Sequence, residues 1–189
     1  TGCTFDSNRR NNLSITDGLD MLVENCTFLN AGIDMANSTG IAPRYSIDLE
    51  PHLPYQNLER VTIRNCQESG SVAGGIVFAN GKDYLFEGNT FESRVANNVC
   101  ENVEIRNNTL GSIIVGLDDA VSTSANTVIS GNTLIGPGNG TTVGIQLYNQ
   151  DVTVFNNEIL NFGVGMQLVS FKNAHIYNNI IESNGVQDD

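Results

Sequence analysis

The chain has 189 residues, 40% of them hydrophobic, with a formal net charge of −12 and a pI near 4.3. A surface this acidic repels phosphate backbones at long range, so nucleic acid is not an expected partner. No run of 18 apolar residues could insert in a membrane, Thr1–Phe5 do not form a basic-then-apolar leader, and the four cysteines are accompanied only by His52 and His175 with no C-x-x-C pair, which gives a zinc site little support.

In chain order, a short apolar strand runs into Asn or Cys seven times: Leu22–Phe28, Val61–Cys66, Tyr84–Phe91, Val103–Leu110, Val128–Leu134, Val152–Ile159 and His175–Ile181. The anchors Cys26, Cys66, Asn89, Asn108, Asn132, Asn157 and Asn179 are 40, 23, 19, 24, 25 and 22 residues apart. A near-constant period of this length is the mark of a solenoid. Gly2-Cys3-Thr4-Phe5 matches Asn25-Cys26-Thr27-Phe28 at an offset of 23, so the chain is expected to start within a repeat and to be a fragment of a longer one. Between anchors lies a second strand: Leu13–Thr16, Ser46–Glu50, Gly75–Phe78, Ile113–Val115, Gly144–Tyr148 and Gly165–Leu168. Alternation of apolar residues in both strands, with 19 Gly and 26 Asn for bends and no helical periodicity, predicts at least two strands per coil.

A coil of about 22 residues cannot bury its own apolar face and must stack in parallel on the next, at about 4.8 Å per rung. Eight rungs then give a rod roughly 38 Å long. Cys3, Cys26 and Cys66 share one repeat position and are expected as an interior column of free thiols, continued by Asn. An Asn there tolerates a left-handed backbone, and its amide can bond the Asn one rung away.

The double interval holds an insertion at about residues 33–45, directly before Ser46-Ile47-Asp48-Leu49-Glu50-Pro51-His52. Loops of this kind carry function more often than regular coils do. With Ile47 and Leu49 inward, Asp48 and Glu50 point outward, about 6.5 to 7 Å apart along the strand. That separation suits a pair of carboxylates working across one glycosidic bond, one as the protonated acid and the other as base or nucleophile, without separating a retaining from an inverting geometry. Arg9, Arg10 and Arg44 are expected near them, where a guanidinium could orient a carboxylate or bind an acidic sugar. Asp17, Asp20 and Asp118–Asp119 are oxygen ligands suited to a structural calcium, and no other cofactor is expected. Tyr55, Tyr148 and Phe171 are candidates for stacking on sugar rings.

The strand-Asn-x-[Phe/Ile/Leu] repeat followed by Gly-Ile-x-Leu resembles the right-handed parallel β-helix of pectate-lyase-like proteins, and the resemblance covers nearly the whole chain. It implies an all-β solenoid of about eight coils forming a single domain over residues 1–189, and it is weak on function because that fold hosts lyases, hydrolases, epimerases, tail spikes and adhesins. Asn8–Ile15 followed one coil later by Tyr45–Pro51 is similar to the pairing in β-helical bacteriophage tail-spike depolymerases. That likeness implies that Asp48 and Glu50 line a carbohydrate groove supported by Arg9 and Arg10, in a homotrimer outside the cell or on a virion. Tyr45-Ser-Ile-Asp48 with Pro51-His52 also resembles the Tyr-Gly-Phe-Asp-Pro-His motif of mannuronan epimerases and alginate lyases, with Leu49-Glu50 inserted. It implies substrate-handling roles for Tyr45 and His52. The expected function is acid–base hydrolysis of a surface or extracellular polysaccharide; a uronate lyase or C5-epimerase and a non-catalytic carbohydrate-binding shaft are the alternatives.

Overall fold

The computed structural model describes residues 1–116, 125–148, 151–169 and 173–182. Successive coils stack so that every strand pairs in parallel with its counterpart one coil away. Seven strands form one face: β3 (Gly18–Glu24), β6 (Leu58–Arg64), β9 (Lys82–Glu87), β11 (Glu101–Arg106), β13 (Ala125–Ser130), β16 (Val152–Phe155) and β19 (Ala174–Tyr177). A bent 13-stranded sheet makes the rest, and its bend resolves the two strands expected per coil into three faces. Its first limb is β1 (Thr4–Asp6), β4 (Thr27–Leu29), β7 (Gln67–Ser69), the first halves of β10 (Thr90–Asn97) and β12 (Thr109–Val115), then β14 (Thr133–Ile135), β17 (Glu158–Leu160) and β20 (Ile180–Glu182). The second limb is β2 (Leu13–Ile15), β5 (Tyr45–Leu49), β8 (Gly74–Phe78), the second halves of β10 and β12, β15 (Val143–Tyr148) and β18 (Val164–Val169). Eight rungs on the first limb match the eight coils read from the repeat. Among the described residues no helix is long and apolar enough to cross a membrane.

The corner between the seven-stranded face and the first limb explains the Asn column. Bending there needs one residue in the left-handed region, supplied by Asn25, Asn65, Gly88, Asn107, Gly131, Asn156 and Asn178, with φ between 53° and 64°. The next residue turns inward and forms the ladder: Asn89 Nδ2 donates to Asn108 Oδ1 (3.1 Å), Asn108 to Asn132 (2.9 Å), Asn132 to Asn157 (2.9 Å) and Asn157 to Asn179 (2.9 Å). The two tasks assigned to one Asn on the sequence are thus divided between neighbours. Each ladder oxygen also accepts the backbone N–H of the residue one rung back, as Asn157 Oδ1 does from Asn132 N (3.0 Å), so buried polar groups are matched rung to rung. Cys3, Cys26 and Cys66 begin the same column, all with free thiols, and Cys66 N donates to Asn89 Oδ1 (2.9 Å) where sulfur gives way to amide.

Inside, Ile, Leu, Val and Phe fill the column between the faces, with Phe28, Ile47, Leu49, Phe78, Phe86 and Ile105 fully buried. Each such side chain contributes about 1.5–3 kcal/mol by leaving water. One rung breaks the pattern: Glu68 stands between Phe28 and Phe91 in the register and is buried. Ser93 N and Oγ (3.0 Å each) and Ser71 N (3.3 Å) donate to its carboxylate, while Ser71 Oγ meets Ser46 Oγ (2.6 Å) and Asn12 Nδ2 reaches Ser46 Oγ (3.3 Å). A polar seam therefore runs beneath β2, β5 and β8.

The extra residues of the long coil do not form one insertion at 33–45. The register offset between the first two coils is 23 residues at Asp6↔Leu29, 34 at Leu13↔Ile47 and 40 at Gly18↔Leu58. Eleven residues are therefore added before β5 (34 minus 23) and six after it (40 minus 34), and Tyr45 already belongs to the strand. Both additions flank β5, which carries Asp48.

Candidate functional site

On the second limb, inward residues alternate with an outward row that reads Ser14, Asp48, Val77, Ala96, Ile114, Gln146 and Gln167 from coil to coil. Strand alternation places Asp48 on the outer surface, as the sequence implies. Yet Asp48 is only 3% exposed, with Val77 at 5% and Ala96 at 2%. These three positions are therefore covered although they stand on the outward row, on and beside the strand that the two added segments flank.

The Asp48 carboxylate has two unlike oxygens. Oδ2 accepts a hydrogen bond from Asn11 Nδ2 (2.8 Å), whereas Oδ1 is buried without a partner among the described residues. Burial raises the Asp48 pKa above the usual carboxylate value, and the nearby charge of Glu50 raises it further, against the opposing pull of the Asn11 hydrogen bond, Arg10 and His52. Glu50 is the first residue after β5 rather than its last. Its backbone N–H still bonds Ile15 O (3.1 Å), and its carboxylate, one-third exposed, lies 3.2 Å from His52 Nε2. Gln56 Oε1 accepts from the backbone N–H groups of His52 (2.7 Å) and Leu53 (2.9 Å), fixing the turn that presents His52. Asp48, Glu50 and His52 are thus brought together.

The arginines are placed differently from expectation. Among the described residues none comes within ion-pair distance of Asp48 or Glu50. Arg10 acts on Asp48 only through its field. Arg9 Nε donates to Thr39 O (2.9 Å), and Ile41 N to Arg9 O (2.9 Å), stitching the longer loop to the first coil. Arg44 braces that loop from within through Gly40 O and Asp34. The residue that orients Asp48 is Asn11, which the sequence reading did not single out; its Oδ1 also accepts from Tyr45 N (3.2 Å). The register that pairs Leu13 with Ile47 is the signal that could have found it.

Tyr45 lies with its ring against Gly74, where a Cβ would collide with the ring edge. Its hydroxyl accepts from Arg94 Nη2 (3.0 Å), which also donates to Ala73 O (3.2 Å). Arg94 was likewise missed, because Arg94-Val95-Ala96-Asn97 carries one large apolar residue and does not stand out as a strand. Beyond it, Arg94 and Gln146 line an open depression of about 500 Å3 that runs toward the last coils.

Of the other candidates, Asp17 Oδ1 accepts from Asn57 N (3.0 Å) and Asp20 is held by both sides of the Arg60 guanidinium (2.6 and 3.0 Å). Among the described residues no three His, Cys, Asp or Glu side chains cluster to hold a metal ion. Tyr55 is 77% exposed, on the loop after β5. Asp118, Asp119 and Phe171 lie outside the described residues.

The uncharacterized protein YclG of Bacillus subtilis (strain 168) is 32% identical over 177 residues, which take in 85% of this chain and 29% of that protein. The chain therefore spans less than a third of that relative. No solved structure matches the chain significantly. The family described as the right handed beta helix region matches residues 1–150 and again 56–187, and membership supports a carbohydrate-active or a structural role. By its parallel strands, its stacked coils and this match, the chain belongs to the right-handed β-helix family.

Proposed function

We propose that this chain cleaves a surface or extracellular polysaccharide by acid–base glycoside hydrolysis in the groove over β5. The observation that carries the reading is the Asp48 carboxyl, buried on an outward row, raised in pKa and with one oxygen unpartnered. A carboxyl whose pKa is raised in this way can serve as the general acid toward a glycosidic oxygen while Asn11 holds Oδ2. Glu50, open to solvent beside His52, supplies the carboxylate that activates water or attacks the anomeric carbon. The proposal places the chain outside the cell or on a virion, in a homotrimer.

The test is release of reducing ends from a panel of bacterial capsular and plant or algal polysaccharides. Asp48→Asn and Glu50→Gln should each lower the rate about 10²–10⁴-fold, the usual contribution of a positioned acid or base. Full activity in both variants overturns the site. No cleavage of any substrate by the full-length protein leaves the structural role as the better reading.

A second reading rests on the Glu50–His52 contact and on the Tyr45 hydroxyl held by Arg94. Tyr45 and His52 could then move the C5 proton of a uronate, as in a lyase or epimerase. Ultraviolet absorbance of an unsaturated product, lost in His52→Ala and retained in Glu50→Gln, would favour it over hydrolysis.

A further inference from the structure

Among the described residues, the lysine and arginine cations are divided between the faces of the rod. Arg60, Arg64, Lys82 and Arg106 are all paired with carboxylates on the seven-stranded face. Arg9, Arg10, Arg44 and Arg94 lie on the side of the second limb, and of these only Arg44 has a carboxylate within 4 Å among the described residues, Asp34 at 3.8 Å. In a chain of net charge −12, arginines left without acids gather on the side of the outward row.

Arg94 holds the most informative place among them. Its Nη2 is anchored on Tyr45 Oη and Ala73 O, toward the Asp48 coil, while Nε and Nη1 have no partner among the described residues. The same side chain lines the depression of about 500 Å3 whose wall also carries Ser112, Ile114, Ile135, Gln146 and Glu92. Ile114 and Ile135 offer an apolar platform for the C–H face of a sugar, Ser112 and Gln146 hydrogen-bond its hydroxyls, and Arg94 offers its positive charge and the N–H groups of Nε and Nη1 to an anion. Ile114 is three rungs from Asp48 along the outward row, roughly 14 Å at 4.8 Å per rung, so one oligosaccharide laid along the row reaches both. Glu92 on the same wall accepts hydroxyls and disfavours a phosphate-dense polyanion.

We infer that the depression around Arg94 is a subsite for an acidic sugar, so that the ligand of the groove is a polysaccharide bearing carboxylate or sulfate groups. The inference rests on reading this face as a carbohydrate groove and names the class of chain it accepts. It does not require that the chain be cut.

The test is calorimetric binding of oligomers of galacturonate, of mannuronate and guluronate, and of a sulfated galactan, each beside its methyl-esterified or desulfated neutral twin. Uronate and sulfate arms separate the two anions. Wild-type protein should bind at least one charged oligomer about tenfold more tightly than its neutral twin. Arg94→Gln should abolish that margin, while Arg64→Gln, on the seven-stranded face, keeps it. No preference for any charged oligomer, or a preference that survives Arg94→Gln, overturns the subsite. Charged binding without cleavage would sink hydrolysis and leave the subsite standing. Asp48-dependent cleavage of a neutral polymer, unaffected by Arg94→Gln, would do the reverse.

Discussion

At the scale of single residues, Asp48 ties stability to chemistry. Its folded pKa is raised chiefly by burial, so the folded chain holds this proton more tightly than the unfolded one. Stability from this group is therefore full at low pH and is lost as pH rises from the unfolded value through the folded one. Asp48→Asn removes that loss: its melting temperature should exceed that of the wild type at pH 7, with the difference vanishing below pH 3.8, when measured by thermal denaturation across pH. Activity should fall over the same rise, because a general acid must keep its proton. Asn11→Ala deletes the hydrogen bond that lowers the pKa, so the alkaline limb of the pH–rate profile should move to higher pH. An unmoved limb would mean that Asn11 does not set the Asp48 pKa. The outward placement of Asp48 was legible in the alternation around Ile47 and Leu49. Its burial was not, because it depends on loops and neighbouring coils that no local pattern encodes.

Among the elements, the Asn ladder gives the sharpest expectation. Asn132 accepts from both the backbone and the side chain of Asn108 (3.0 and 2.9 Å) and donates to Ile105 O (2.8 Å). Asn132→Ala strands these buried groups, at about 1–3 kcal/mol each before any compensation by water. Urea unfolding should show a loss of at least about 2 kcal/mol, and a loss below about 0.5 kcal/mol would show that the ladder is ornamental to stability. The repeat made the ladder position readable, but its division of labour with the left-handed residue before it was hidden, since Asn serves in both places. Glu68 was hidden for the opposite reason. It occupies a position that Phe28 and Phe91 mark as apolar, and only its serine donors, brought from Ser71 and Ser93, make a carboxylate tolerable there.

Across the whole molecule, net charge sets the response to salt. The ion pairs on the seven-stranded face are partly exposed and individually worth about 0–1 kcal/mol. The net charge of −12 acts over the full rod, and screening over about 10 Å at 0.1 M relieves its self-repulsion. The melting temperature should thus rise between 10 and 300 mM NaCl; a fall would mean that the pairs outweigh the repulsion. The four cysteines give a way to watch the rod come apart. Cys3 is exposed, whereas Cys26, Cys66 and Cys100 are buried, and burial pushes the Cys66 thiol up to about 11. Alkylating reagents attack thiolates, so the three buried sulfurs stay silent until their own coil opens, each at a different height in the stack. Timed labelling with iodoacetamide, read by mass spectrometry, turns them into three clocks that report whether coils peel off one after another or let go together.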